Sequence, residues 1–173
     1  NIYRERCYQG WGRADSSVEL KYGPNITDWP AMAALPENLL LRVACVITDP
    51  VTTTDELIPS GETSSLRSNP LKLAEFALSR KDPEYVGRAK DVFAFEKKRE
   101  ADPADASVLQ AVRQALAPLE KSDRALFDAI CGGKDLAGTG IGSTIFAMKP
   151  GDGSAREQAA SSQKVLGGWA NLA

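Results

Sequence analysis

The residues best suited to chemistry lie in two short segments far apart in the chain. The later one reads Gly151-Asp152-Gly153-Ser154-Ala155-Arg156-Glu157-Gln158-Ala159-Ala160. Its pattern predicts a glycine turn after a strand, then a helix from Ser154 to Leu166 closed by Gly167-Gly168. A helix N-terminus offers unpaired backbone N–H groups and partial positive charge, which favour anions. Arg156 in the first turn would add a planar fork matched to a carboxylate or phosphate, although the helix dipole opposes a cation there. Ser154 reads in two ways: as a plain N-cap, or as a hydroxyl in a positive field that lowers the cost of its alkoxide.

The earlier segment, Thr52 to Asn69, is polar and broken by Pro59 and Gly61, so it predicts a loop. It leaves the end of a dense apolar run, Leu39 to Ile47, bounded by Pro36 and Pro50, which predicts a buried strand. A second strand is expected over Ser143 to Met148, just before the glycine turn. If both strands lie in one sheet in the same sense, the two loops meet at its end, where α/β folds place ligands. Asp55, Arg67, Ser154 and Arg156 would then converge, and two guanidinium groups would clamp a small di- or tricarboxylate. From spacing alone, Arg67 reads equally as a surface residue.

The chain has no histidine, which removes Ser-His-Asp and Cys-His schemes from it. Acid–base chemistry must use carboxylates, Lys, Tyr, Cys or an activated Ser. The three cysteines, Cys7, Cys45 and Cys131, form no Cys-x-x-Cys pair. They are expected to be free thiols in a reducing, cytoplasmic setting, with neither zinc nor an iron–sulfur cluster held by this chain.

Two quoted motifs carry a family resemblance. Thr53-Thr54-Asp55-Glu56 with Pro59, Gly61 and Arg67 resembles the Thr-Thr-Asp-His…Gly…Arg segment of aconitases. Gly151-Asp152-Gly153-Ser154-Ala155-Arg156-Glu157-Gln158-Ala159-Ala160 with Leu166-Gly167-Gly168 resembles that family's Gly-x-Gly-Ser-Ser-Arg-Glu-His-Ala-Ala…Leu-Gly-Gly. The Asp55-to-Arg67 interval also agrees. The likeness covers about residues 39–69 and 143–168. It implies an α/β fold, the three-layer β/β/α swivel domain of the aconitase type, with residues 70–130 as an inserted helical elaboration. It further implies a hydro-lyase that dehydrates and rehydrates a small hydroxy acid. Ser154 would be the base removing the proton α to a carboxylate, with Asp55 an active-site acid and Arg67 and Arg156 carboxylate binders. The [4Fe–4S] cluster would sit on other domains of the full-length protein, and none would be bound here. Ala155 replaces a serine that binds substrate in the family, while Glu56 and Gln158 replace two histidines, which leaves citrate and isocitrate in question. The alternative is a carboxylate-binding or regulatory module that does not turn over.

The remaining elements serve to position these loops. Residues 1–37 carry prolines and glycines near Trp11 and Trp29 and read as coil, with a short strand at Val18 to Tyr22. Asn69-Pro70 predicts a helix through Arg80 with Leu71, Ala74 and Leu78 on one stripe. Asp82-Pro83 predicts a second helix to about Glu100, and Asp102-Pro103 a third carrying Leu109, Val112 and Leu116. Ser122-Asp123 predicts a fourth, through Ile130. Gly138-Thr139-Gly140-Ile141-Gly142 fits no dinucleotide fingerprint and predicts a turn. The 173 residues, 25% charged with net charge −2, suit one globular domain and argue against nucleic-acid binding. No run of 18 apolar residues is present, so no membrane span is expected. The chain opens at Asn1 and closes within Gly168 to Ala173, an apolar stretch, so a fragment of a longer protein is expected.

Overall fold

The computed structural model describes residues 12–13 and 15–173; Cys7 and Trp11 lie outside the described residues. The elements in chain order are β1 (Asn38–Ile47), β2 (Thr52–Thr53), α1 (Thr54–Leu57), a 3-10 turn (Ser64–Leu66), α2 (Pro70–Ala74), α3 (Tyr85–Ala101), α4 (Ala106–Ser122), α5 (Arg124–Cys131), β3 (Thr139–Ala147), β4 (Pro150–Asp152), α6 (Gln158–Val165) and β5 (Gly168–Leu172). β1, β3 and β5 form a three-stranded parallel sheet with β3 in the centre, and β2 and β4 form a separate parallel pair. The chain is therefore a mixed α/β structure in which helices cover parallel strands.

β1 forms where expected, with its register running from Asn38 opposite Thr139 to Ile47 opposite Ala147, but it is an edge strand and not a buried one: Ala44, Cys45 and Ile47 are buried while Leu39, Val43 and Val46 are exposed. The register slips at Ala44, between Val43 and Cys45. The carbonyl of this bulge residue accepts Arg88 Nε at 2.7 Å, so α3 takes up the bond the ladder loses. β3 begins earlier than the glycine pattern predicts. Gly140 and Gly142 lie inside the strand, not in a turn before it, because close packing demands their bare backbone. A Cβ on Gly142 would sit 1.7 Å from Trp169 Cδ1. β5 reaches back only to Ser143, which would leave the Ile141 N–H without a strand partner. The buried Glu96 carboxylate of α3 accepts that N–H at 2.7 Å and binds Arg99 through two bonds of 2.8 Å.

The helical block departs from prediction at its starts. Pro70 is the first residue of α2, with Asn69 Oδ1 capping Lys72 N at 3.0 Å. α3 and α4, however, begin beyond Pro83 and Pro103, and Asp105 caps α4. Asp123 caps α5, which runs to Cys131. α2 ends at Ala74 instead of continuing to Arg80, and Leu73 takes the buried position expected of Leu71, which is exposed. The reason lies at Leu78, whose φ of 55° is left-handed. Its fully buried side chain and its N–H bond to Leu57 O (2.9 Å) hold that conformation, at a cost of about 1–3 kcal/mol. Its carbonyl accepts from both Lys81 N and Asp82 N at 2.8 Å, so the chain reverses sharply before α3. Val18 to Tyr22 is coil, with Val18 and Leu20 at least 70% exposed and no neighbouring strand among the described residues.

Two cores result. One joins β1 and β3 to α1, α2, α6 and the start of α3 through Ile47, Leu57, Leu78, Tyr85 and Ile145. The other packs Val92 of α3, Val108 and Val112 of α4 and Cys131 against Ile141. Each fully buried aliphatic side chain contributes about 1.5–3 kcal/mol. No helix among the described residues is long and apolar enough to cross a membrane.

Candidate functional site

β1 and β3 are adjacent and parallel, so the loops that follow them leave the sheet at the same end. The small β2–β4 pair then clips those loops together, with Thr52 opposite Pro150 and Thr53 opposite Asp152. Gly151 is the extra residue between these two pairings, and its φ of 85° is one that a side chain disfavours. Thr52 N–H donates to Lys149 O at 3.0 Å, which closes the clip.

Beyond the clip, Thr53 and Glu56 form a reciprocal capping box on α1. Glu56 Oε2 accepts Thr53 N–H at 2.7 Å, and this bond with Lys81 alongside holds the Glu56 carboxyl below its ordinary range. Lys81 also pairs with Asp49. Between Asp49 and Leu66 the chain carries four acidic residues and no cation, so the counter-ions must come from elsewhere. Arg80 and Lys81 arrive from the left-handed reversal at Leu78. Arg80 reaches Asp55 Oδ2 at 3.2 Å and Glu62 Oε1 at 2.9 Å.

Asp55 is the centre of this arrangement. Its Oδ1 accepts Ser60 Oγ–H at 2.7 Å, Ser60 N–H at 3.0 Å and Arg156 Nη2–H at 3.0 Å. The Ser60 bonds, with Arg156 adding to them, bring its pKa down to about 2. A carboxylate so depressed stays ionised and is a feeble base near neutral pH. Asp55 is thus suited to orienting cations, not to moving protons. Arg156 also donates from Nη1 to Ile58 O at 3.1 Å and from Nη2 to Thr54 Oγ1 at 3.3 Å. Its fork therefore staples the β2–α1 loop to the turn after β4.

Arg67, exposed at the end of the 3-10 turn, and Arg156 line one cleft of about 110 Å³ together with Ser60, Thr63 and Gln158. The structure thus brings Arg67 and Arg156 to one cleft, with Asp55 bonded to Arg156 but not itself among the lining residues. Ser154 and Ala155 are exposed on the turn between β4 and α6 and are not among the residues lining that cleft. α6 starts at Gln158, four residues later than expected, and Glu157 stands at its cap without a side-chain cap bond. Ser154 is therefore no N-cap, and Arg156 lies outside the first helical turn, its side chain drawn to Asp55 and Ile58.

Residue types and spacing did not mark Thr54, Ser60, Arg80 or Gln158 as site residues. The uncompensated acidic run from Asp49 to Glu62 was the signal that cations such as Arg80 and Lys81 had to fold onto it. Among the described residues no cluster of three or more metal-ligating side chains occurs. Cys45 and Cys131 are free and buried in different cores, and burial pushes the Cys45 thiol up to about 12. Comparison with protein-family models, curated proteins and solved structures finds no match to this chain.

Proposed function

We propose that this chain is the substrate-binding and base-bearing part of an aconitase-like hydro-lyase acting on a small di- or tricarboxylic hydroxy acid. The observation that carries the reading is the shared cleft of Arg67 and Arg156 at the common end of two parallel strands, with Asp55 holding Arg156 in place. The two motifs that resemble the family lie in the two loops so joined. On this reading the parallel strands belong to a three-layer β/β/α swivel domain, and the protein works in the cytoplasm. Arg67 binds a substrate carboxylate, and Ser154 removes the proton α to a carboxylate on a substrate presented against the exposed turn. The described cysteines do not fit an iron–sulfur cluster, being buried apart with Cys45 holding its proton. The reading therefore assigns the [4Fe–4S] cluster to other domains of the protein and no step on this chain to it.

The test is an anaerobic assay of the full-length, cluster-reconstituted protein against citrate, isocitrate, homocitrate and isopropylmalate. Turnover of one of these, lost in Ser154→Ala and Arg67→Ala, is the expected result. Turnover unchanged in Ser154→Ala would remove the assigned base.

A second reading, a carboxylate-binding module without turnover, is favoured by one observation. Ser154 stands outside the cleft that Arg67 and Arg156 share. Polycarboxylate binding with no turnover on any of the four substrates selects it.

A further inference from the structure

The cleft has fewer available donors than its lining suggests. Ser60 Oγ donates to Asp55 Oδ1, and Thr63 Oγ1 donates to the Pro59 carbonyl. Arg156 spends Nη1 on Ile58 O and Nη2 on Thr54 Oγ1 and Asp55 Oδ1. Beyond Arg156 Nε–H and the second N–H of its Nη1, both on a guanidinium already anchored to the Asp55 loop, the side-chain donors left uncommitted on this wall, among the described residues, are those of Arg67 and Gln158. Gln158 and Arg67 also line an adjoining cleft of about 40 Å³ with Ser161, so the two residues stand together where the clefts meet. Gln158 is half-buried at the first position of α6, a helix that packs on α2, so its backbone is fixed.

We propose that Gln158 is a ligand-binding residue of this cleft. Its amide N–H donates to one oxygen of a small polycarboxylate whose charge is held by Arg67. Arg156 is then a positioning residue that fixes the Asp55 loop, not the second carboxylate clamp that the family resemblance implies. A carboxylate has about four lone-pair sites, so it accepts both the guanidinium fork and the amide. A neutral amide places a donor beside Arg67 without adding a further charge to the wall that Arg67 and Arg156 line. The inference rests on the carboxylate-binding reading above and deepens it.

Calorimetric titration of the chain with tricarballylate, a polycarboxylate that cannot undergo dehydration, tests it. Gln158→Met keeps length and volume but removes the donor, and Gln158→Glu keeps the shape and sets a carboxylate against the ligand. Binding weakened about tenfold or more in Gln158→Met, and further in Gln158→Glu, is expected, since a hydrogen bond to a charged group carries that weight. Arg67→Ala is expected to abolish binding. If Gln158→Met does not fold, Gln158→Glu decides. Wild-type affinity in both Gln158 variants, with binding still lost in Arg67→Ala, overturns the role of Gln158 and leaves the carboxylate reading standing. No binding by the wild-type chain, or binding indifferent to Arg67, overturns both.

Discussion

Arg156 Nη2 lies 3.0 Å from Asp55 Oδ1 across 101 positions of sequence, and this contact joins the two loops that leave β1 and β3. The same guanidinium reaches the Ile58 carbonyl, so removing it frees both ends of α1 at once. Arg156→Ala is expected to raise the Asp55 pKa toward its ordinary value and to expose residues 54–62 to proteolysis. Carboxyl-detected NMR titration and limited digestion measure the two effects. Arg156→Lys restores the charge but not the fork, and is expected to recover the Asp55 titration only in part.

Asp55 also makes stability depend on acid pH in a defined window. Its carboxyl titrates at about 2 in the folded chain against an ordinary 3.8. The unfolded chain therefore binds more protons between these values, and stability rises with pH there. The contribution is complete above about pH 4 and is lost as pH falls through about 2. Glu56, held low by the Thr53 N–H, acts in the same direction. Urea midpoints measured down this range are expected to fall, and Asp55→Asn is expected to flatten part of that fall.

Gly142 is where the central strand admits Trp169. A Cβ there would meet Trp169 Cδ1 at 1.7 Å and the Gly167 carbonyl at 2.9 Å. Gly142→Ala is expected to destabilise by about 1–3 kcal/mol or more, read by urea denaturation. In Gly142→Ala/Trp169→Ala the two costs are expected to be non-additive, the double variant losing less than the sum.

Glu96 is 2% exposed and carries the Arg99 fork and the Ile141 N–H together. Glu96→Ala leaves a buried guanidinium without its counter-ion and is expected to cost about 3–5 kcal/mol. Chemical denaturation checks this, with hydrogen exchange at Ile141 expected to accelerate as well.

Much of this was legible from residue type and spacing, and the failures have local causes. The apolar run at Leu39 to Ile47 is a strand as its composition predicts, but at the sheet edge it leaves Leu39, Val43 and Val46 exposed instead of buried, and the Asp123 cap announced α5. The parallel sense of the two strands is not legible from residue type and stood only as a condition, which the register of β1 on β3 meets. Gly140 and Gly142 misled because their purpose is tertiary: they make room for Pro36 and Trp169, which lie far away in sequence. Pro83 and Pro103 misled because a proline marks the approach to a helix as readily as its first residue. In the candidate site, Asp55, Arg67 and Arg156 were found from their motifs. Arg80 was not, because the left-handed Leu78 that delivers it looks like an ordinary core leucine in a helical stripe.

The central claim is that the loops after β1 and β3 form one polycarboxylate-binding cleft. Backbone NMR titration of the chain with tricarballylate tests it most directly. Amide shifts in residues 53–67 and 151–158 that follow one shared Kd, and vanish together in Arg67→Ala, are the predicted result. Shifts confined to one loop, two unrelated affinities, or no shift in either loop would contradict it.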